Sequence, residues 1–266
     1  MTQETGALFI GTAGWGIPRS IAERFPGEGQ HLERYARVFS CAEINTSFYR
    51  SHKRQTYTRW AGHTPAGFRF SVKLPRTITH DARLHSPEVL LKKFLDEASG
   101  LGERLQVLLV QLPPSLSFEA RVARTFFETL SSMHGASVVC EPRHASWFQP
   151  VADQLLAEWK IGRVAADPAR HSSAGVPGGW MGPAGDGAGA TLYYRWHGSP
   201  RIYYSAYTDT WLHTRAIELD SWPKESECWC IFDNTALGAA ASNALSFTNQ
   251  IFGHWHAQRA VFEEGN

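Results

Sequence analysis

The stretch ALFIGTAGW (residues 7–15) decides the fold class. It is a short apolar run ending in small residues, the pattern of a strand buried on both faces of a parallel sheet. Its end, GTAGWG (11–16), lacks the GxGxxG spacing of a dinucleotide loop, and no helical pattern begins there. An open, doubly wound nucleotide fold is therefore disfavoured. A regular alternation follows. HLERYARVF (31–39) places Leu32, Tyr35, Ala36 and Phe39 at helical spacing, and CAEINTSFY (41–49) returns to a strand pattern. A short helix around Thr56–Ala61 precedes FRFSVKLP (68–75), a third strand. The amphipathic PEVLLKKFLDEASGL (87–101) leads into QVLLVQLPP (106–114), whose prolines cannot prolong a ladder.

The rhythm continues to the end of the chain. FEARVARTFFETLSSM (118–133) reads as helix, ASVVCEPRH (136–144) as strand, VADQLLAEWK (151–160) as helix and GRVAADP (162–168) as a sixth strand. Residues 171–189, rich in Gly, Pro and Ser, read as a loop or lid. TLYYRWHG (191–198), a helical pattern over Thr208–Leu219, ECWCIFDN (227–234) and a closing helix at 238–252 complete the series. About eight βα units in 266 residues predict an α/β fold, a (β/α)8 TIM barrel with residues 1–266 in one domain.

Composition excludes several classes. With 43% hydrophobic and 19% charged residues and a mean hydropathy of −0.30, the chain is neither disordered nor fibrous. A formal net charge of +1 gives no global field toward nucleic acid or anionic lipid, so a nucleic-acid partner would need one locally basic face. Cys41, Cys140, Cys228 and Cys230 sit in or beside apolar runs and read as buried free thiols, not as a disulfide or zinc framework. MTQETGALFI lacks the basic start and long apolar stretch of a secretory leader, and no run reaches the ~18 apolar residues of a membrane helix. A cytoplasmic protein with no membrane partner is expected.

Polar residues recur at the C-terminal end of each expected strand. Trp15 follows the first, Glu43 and Asn45 end the second with Tyr49 beyond, and Lys73 and His80 belong to the third. Gln111 ends the fourth, Glu141, Arg143, His144 and Trp147 the fifth, Asp167 the sixth, Arg195 and His197 the seventh, and Asp233 and Asn234 the eighth. A barrel gathers these chain-distant groups into one ring on the face where active sites of this fold lie. Glu43, Lys73, Glu141 and His197 are the candidate catalytic residues, with Glu43 and Glu141 a candidate general acid and base pair. Lys73, Arg143 and Arg195 suit an anionic substrate, since arginines clamp phosphate or carboxylate. Trp15, Asn45, Tyr49, His80, Gln111, His144, Trp147 and Asn234 are candidate binding groups, and Trp196 offers a further ring for stacking. Glu43, Glu141, Asp167 and His197 form a candidate ligand set for Mg, Mn or Zn, without any motif of fixed ligand spacing. A self-paired network of these charges is the competing structural reading.

The strand-end phrases GTAGW (11–15), AEINTSFYR (42–50), FRFSVKLPRTITHDARL (68–84), LVQLPPSL (109–116), EPRHASW (141–147), YYRWHG (193–198) and IFDNTALGAAASNA (231–244) resemble, in order, the domain of unknown function 72 family, the YecE-like proteins. The resemblance covers nearly the whole chain and implies a TIM barrel. It implies no established activity. Segment 171–189 looks particular to this chain. The favoured functional reading is an enzyme, a hydrolase or isomerase, acting on a phosphorylated or nucleotide-like substrate at the barrel mouth, with metal-assisted hydrolysis as one form of it. A non-catalytic binding module for a small anion or nucleic acid, and a structural protein with a self-satisfied network, are the alternatives.

Overall fold

A computed structural model describes residues 7–183, 189–220 and 225–264. Seven strands run parallel and in sequence order around most of a barrel: β1 (Leu8–Ala13), β2 (Cys41–Ile44), β3 (Arg69–Lys73), β4 (Leu105–Gln111), β5 (Ser137–Glu141), β9 (Thr191–Trp196) and β10 (Glu227–Phe232). The expected sixth strand is split at Val164 into β6 (Gly162–Arg163), which pairs with β5, and β7 (Ala165–Asp167), which pairs with β9. These two pieces span the gap between β5 and β9, so the sheet is nearly closed. Among the described residues the sheet has ten strands instead of eight simple ones, because strand six is divided and a short β8 (Gly178–Gly179) lies antiparallel to β6.

The helices follow from apolar spacing. In α4 (Ala120–Met133) the buried residues are Ala123, Phe126, Phe127 and Leu130, one stripe at positions i, i+3, i+4 and i+7. In α3 (Glu88–Ala98) Leu91, Phe94 and Ala98 do the same work. The expected 31–39 helix is shorter, α1 (His31–Tyr35), and begins with a capping box in which Glu33 reaches back to the Gln30 amide at 2.6 Å. The short second helix is α2 (Arg54–Gly62), and α5 (Pro150–Glu158) opens on a proline, whose fixed φ suits a first helical turn. Helix α6 (Asp209–Asp220) follows β9, and the closing helix is longer than its pattern implied, α7 (Ala239–Glu264).

Alternation along the parallel strands sends every second residue into the barrel. Cys41, Val107, Leu109, Val139, Val164, Tyr193, Trp229 and Ile231 fill its middle as an apolar plug, with Tyr193 stacked on Trp229 at 5.8 Å. Gly11 lets β1 and β2 approach here: a Cβ would lie 2.2 Å from the Cys41 carbonyl oxygen. The other faces of the strands pack beneath the helices in the larger core. Above the plug, toward the C-terminal ends, the same inward register delivers Glu43, Ser71, Lys73, Gln111, Glu141 and Arg195, all buried. The cysteines are free, with Cys41, Cys140 and Cys230 buried and Cys228 partly so. Among the described residues no helix is long and apolar enough to cross a membrane.

Candidate functional site

Arg195 organises the mouth. Its side chain is fully buried and is held by three carboxylates from three strands. Nε and Nη2 donate to the two oxygens of Glu43 at 2.9 and 2.8 Å, the bidentate geometry that a planar guanidinium favours. Nη1 donates to Glu141 Oε2 at 2.5 Å and Nη2 to Asp233 Oδ2 at 3.0 Å. The Tyr193 hydroxyl, at the top of the plug, lies 3.1 Å from Glu43 and 2.8 Å from Ser71. A buried charge survives only when paired, and here almost every lone pair facing the guanidinium is used.

His197 closes the network on the other side. Its Nδ1 lies 2.9 Å from Asp233 Oδ2 and its Nε2 3.1 Å from Glu141 Oε1. With carboxylates on both nitrogens the imidazolium is the matching form. Burial would lower the pKa of His197, but Glu141 and Asp233 outweigh it and hold the pKa above the ordinary histidine value. For Glu141 burial likewise opposes ionisation, yet Arg195, Arg143 and His197 keep its carboxyl well below the usual range. Asp233 behaves the same way, with Arg195 and His197 overcoming its burial. Arg143 completes this half, donating from Nε and Nη2 to Glu141 Oε1 at 3.2 and 3.0 Å.

Lys73 differs from all of these. It ends β3, is only 6% exposed, and its carbonyl accepts from the Ser47 hydroxyl at 2.6 Å, but its side-chain amine makes no hydrogen bond or ion pair within 4 Å among the described residues. Its Nζ rests 4.0 Å from the centre of the Phe48 ring. Burial first, and the charge of Arg195 second, pull its pKa down to about 8, against the opposing pull of Glu43, Glu141 and Asp233. His80 packs edge-on to the same Phe48 ring at 4.9 Å. Burial and the charges of Lys73, Arg76 and Arg143 lower its pKa to about 4, so it is neutral near pH 7. Its Nδ1 meets the Thr79 hydroxyl at 2.9 Å, and its Nε2 has no partner among the described residues.

A cleft opens beside this ring, with about 400 Å³ of space between its walls, part of it open to solvent. Glu141, Arg143 and His197 form its inner side, and Arg170, His171 and Phe148 its outer side. Segment 171–189 contributes His171 and Ala174 to this cleft. Its first part is a single turn (Ser172–Gly175) followed by β8, tied down by buried Arg163, whose Nη1 donates to the Ser173 carbonyl at 2.6 Å. That part is a loop tied to β6 by this contact, and residues 184–188 lie outside the described residues.

The remaining candidates divide. Asn45 and Asn234 stay at strand ends, each with a buried side-chain oxygen lacking a partner among the described residues, although Asn234 Nδ2 is committed to Ser205 and Asn243. Gln111 is buried with its amide on the Leu112 carbonyl at 2.9 Å. His144 caps the turn Ala145–Phe148 through Nδ1 and Ser146. Trp147 is core, its indole N–H donating to the Leu116 carbonyl at 3.0 Å, and Trp196 packs among Trp211, Phe232 and Phe247. Trp15 turns toward Trp60 and Phe70, while Tyr49 is 72% exposed. Asp167 accepts from the Tyr207 hydroxyl at 2.7 Å instead of joining Glu43 and Glu141.

The candidate ligand set therefore does not assemble. No group of three or more His, Cys, Asp or Glu among the described residues is arranged to hold a metal. The reason is chemical: the Arg195 guanidinium lies among Glu43, Glu141 and Asp233, and a permanent cation already compensates the carboxylates that a divalent ion would need. Two residues escaped sequence reading. Tyr203 sits at φ +70, with its amide on the His197 carbonyl and its ring edge-on to that imidazole at 5.8 Å. A left-handed tyrosine beside the site is a strained position that no periodicity reveals. Arg170, in the loop after Pro168, carried no strand-end signal.

The family relationships agree with this architecture. A family model described as Protein of unknown function DUF72 matches residues 9–261. The UPF0759 protein YecE of Escherichia coli (strain K12) is 33% identical over 142 residues, 53% of this chain and 50% of that protein. The UPF0759 protein YunF of Bacillus subtilis (strain 168) is 26% identical over 151 residues, 54% of this chain and 53% of that one. The aligned part spans about half the length of these curated relatives. A DUF72 family protein from Thermotoga maritima MSB8 superposes with a TM-score of 0.72 at 24% identity, over 92% of this chain and 98% of that one. Another, from Enterococcus faecalis V583, gives 0.72 at 19%, over 92% and 95%. Likeness at such identity speaks for the fold, and the family model speaks for descent: the chain belongs to the DUF72 family.

Proposed function

We propose that the protein is an enzyme acting on a small anionic substrate at the C-terminal mouth of the barrel, with Lys73 as the reacting group. One observation carries this reading: the carboxylates of the mouth are spent on Arg195, Arg143 and His197, whereas the Lys73 amine has no acceptor within ion-pair distance among the described residues. A mouth with Glu43, Glu141 and Asp233 facing Arg143, Arg195, His197 and Lys73 has one cation more than it has carboxylates when all are ionised. A phosphate or carboxylate supplies the missing negative charge, and Arg143 and Arg170 on the cleft wall are placed to receive it. Arg170 is exposed and unpaired among the described residues, so binding to it breaks no existing bridge. The apolar plug beneath the ring keeps the local dielectric low, which strengthens each of these interactions.

In this reading Glu43, Glu141 and Asp233 are positioning groups for Arg195 and His197, not the general acid–base pair that their residue types suggest. Metal-assisted hydrolysis is not part of the proposal, because the donor set is filled by a guanidinium. The test has two arms. Calorimetric titration with inorganic phosphate should give saturable binding that Arg143→Ala and Arg170→Ala weaken. A screen of phosphorylated and carboxylated small molecules should yield a turnover that Lys73→Met abolishes. No saturable phosphate binding, or a turnover untouched by Lys73→Met, overturns the reading.

A further inference from the structure

We infer that Lys73 forms a covalent imine with the carbonyl of an anionic aldehyde or ketone, with His80 as the group that carries the proton. The inference rests on the anionic-substrate reading above and names the chemistry within it. Three observations point the same way. First, Lys73 is buried at the C-terminal end of a barrel strand with its amine on the face of Phe48 and no carboxylate within 4 Å. A lysine in an ion pair is locked as ammonium, whereas one desolvated beside another cation is a nucleophile. Burial and the nearby Arg195 supply both conditions, and the resulting pKa of about 8 leaves an appreciable unprotonated fraction near neutrality.

Second, His80 meets the same Phe48 ring and feels the charge of Lys73 directly. Three neighbouring cations and burial keep it neutral, so it is a proton acceptor at neutral pH. Thr79 Oγ1 also lies 3.4 Å from the Pro75 carbonyl. In the tautomer where that hydroxyl donates to the carbonyl, Nδ1–H donates to the hydroxyl and the Nε2 lone pair is free. Third, Arg143 links the two halves. It lines the cleft, and its charge also acts on His80. An anionic group held on Arg143 thus sits at the same barrel mouth as the lysine and within the field that acts on His80, which raises the effective concentration of its carbonyl there.

The step balances without an outside oxidant or reductant. His80 takes one proton from the Lys73 ammonium. The amine lone pair attacks the carbonyl carbon, forming the C–N bond and leaving the former carbonyl oxygen as alkoxide. A second nitrogen proton moves to that oxygen, giving the carbinolamine. His80 then returns its proton to the hydroxyl, which departs as water while the nitrogen lone pair forms the C=N bond. The product is a protonated imine, whose positive charge replaces that of the ammonium among Glu43, Glu141 and Asp233.

The experiment incubates the full chain with pyruvate or dihydroxyacetone phosphate and sodium cyanoborohydride, then maps adducts by peptide mass spectrometry. A lysine with a pKa of about 8 has on the order of a hundredfold more free amine near neutrality than an ordinary one. Lower intrinsic basicity and restricted access reduce that advantage, so the expected adduct at Lys73 exceeds that at Lys53, Lys92 or Lys93 by about tenfold. Lys73→Arg should remove it, with circular dichroism confirming the fold, and His80→Ala should slow its formation without abolishing phosphate binding. Phosphate binding through Arg143 with no adduct at Lys73 from either probe overturns the imine and leaves the anion site standing. Absence of both overturns the imine together with the reading beneath it. Adducts spread evenly over exposed lysines also overturn the imine.

Discussion

The two sides of the barrel mouth handle charge in opposite ways. Around the guanidinium, Glu43 from β2, Glu141 from β5, Arg195 and His197 at the end of β9 and Asp233 just after β10 saturate one another with hydrogen bonds of 2.5–3.1 Å. On the side of β3, Lys73 and His80 share the Phe48 ring, and neither the amine nor the His80 Nε2 has a partner among the described residues. The first arrangement is rigid, because each group holds several others and none moves without stranding a buried charge. The second leaves reactive atoms unspent at a cost in stability. Residue type alone would assign catalysis to the carboxylates and histidine. In the proposed function they are support, and the lysine carries the chemistry.

That contrast can be broken most forcefully at Arg195. Arg195→Met strands three buried carboxylates and should cost about 3–5 kcal/mol in urea unfolding; a loss below about 1 kcal/mol would mean the network contributes little. Glu43→Gln keeps the shape but removes the charge that takes both arms of the guanidinium, with an expected loss of about 2–3 kcal/mol. Lys73→Met should go the other way, leaving stability at pH 7 unchanged or raising it by up to about 2 kcal/mol, since it removes a desolvated charge without breaking a bond. The smallest change is expected for Tyr203→Phe. Its hydroxyl supports Arg143 from a partly exposed position, so stability should fall by less than about 1 kcal/mol while phosphate binding weakens.

Dependence on pH sharpens the same comparison, because the charged form is stabilised in the paired groups and penalised at Lys73. The Glu141 and Asp233 carboxyls are held low, so their contribution is present above the unfolded values near ~4 and is lost as pH falls through the folded ones. His197 is raised, so its contribution is complete below ~6.5 and is lost as pH rises through its folded pKa. Lys73 is lowered to about 8, so the folded state binds its proton less tightly than the unfolded state does. Its penalty is present below that pH and fades toward ~10.4. Wild type should therefore gain stability relative to Lys73→Met across this window in urea titrations at fixed pH, and parallel curves would contradict the assignment.

Much of this was legible in the sequence. Runs such as QVLLVQLPP and ECWCIFDN announced buried parallel strands, and the two-residue period placed Glu43, Lys73, Glu141, Arg195 and His197 on the inward register. Strand six was harder to read: six residues from Gly162 to Asp167 serve two neighbours in turn, and only the closing geometry makes them do so. The aromatic candidates were less legible still. Trp196 faces the helices because one step along a strand reverses the face, while Trp147 lies in the turn after β5 and packs against Phe118. Which charges pair was not readable, because pairing depends on where β9 aims a guanidinium across a barrel interior that has no trace in local order. Tyr203 and Arg170 lie in loops whose path is set by packing rather than by pattern.

The central claim is that Lys73 is the unpaired, desolvated amine of an otherwise paired mouth. Its titration tests this most directly, followed by competitive amine acetylation from pH 6 to 11 with mass-spectrometric readout at Lys73. The account predicts a reactivity midpoint near pH 8 that moves upward when Arg195 is replaced by Met, provided the variant remains folded. A midpoint at the ordinary lysine value of about 10.4 would show that the amine is solvated or ion-paired, and would contradict the account.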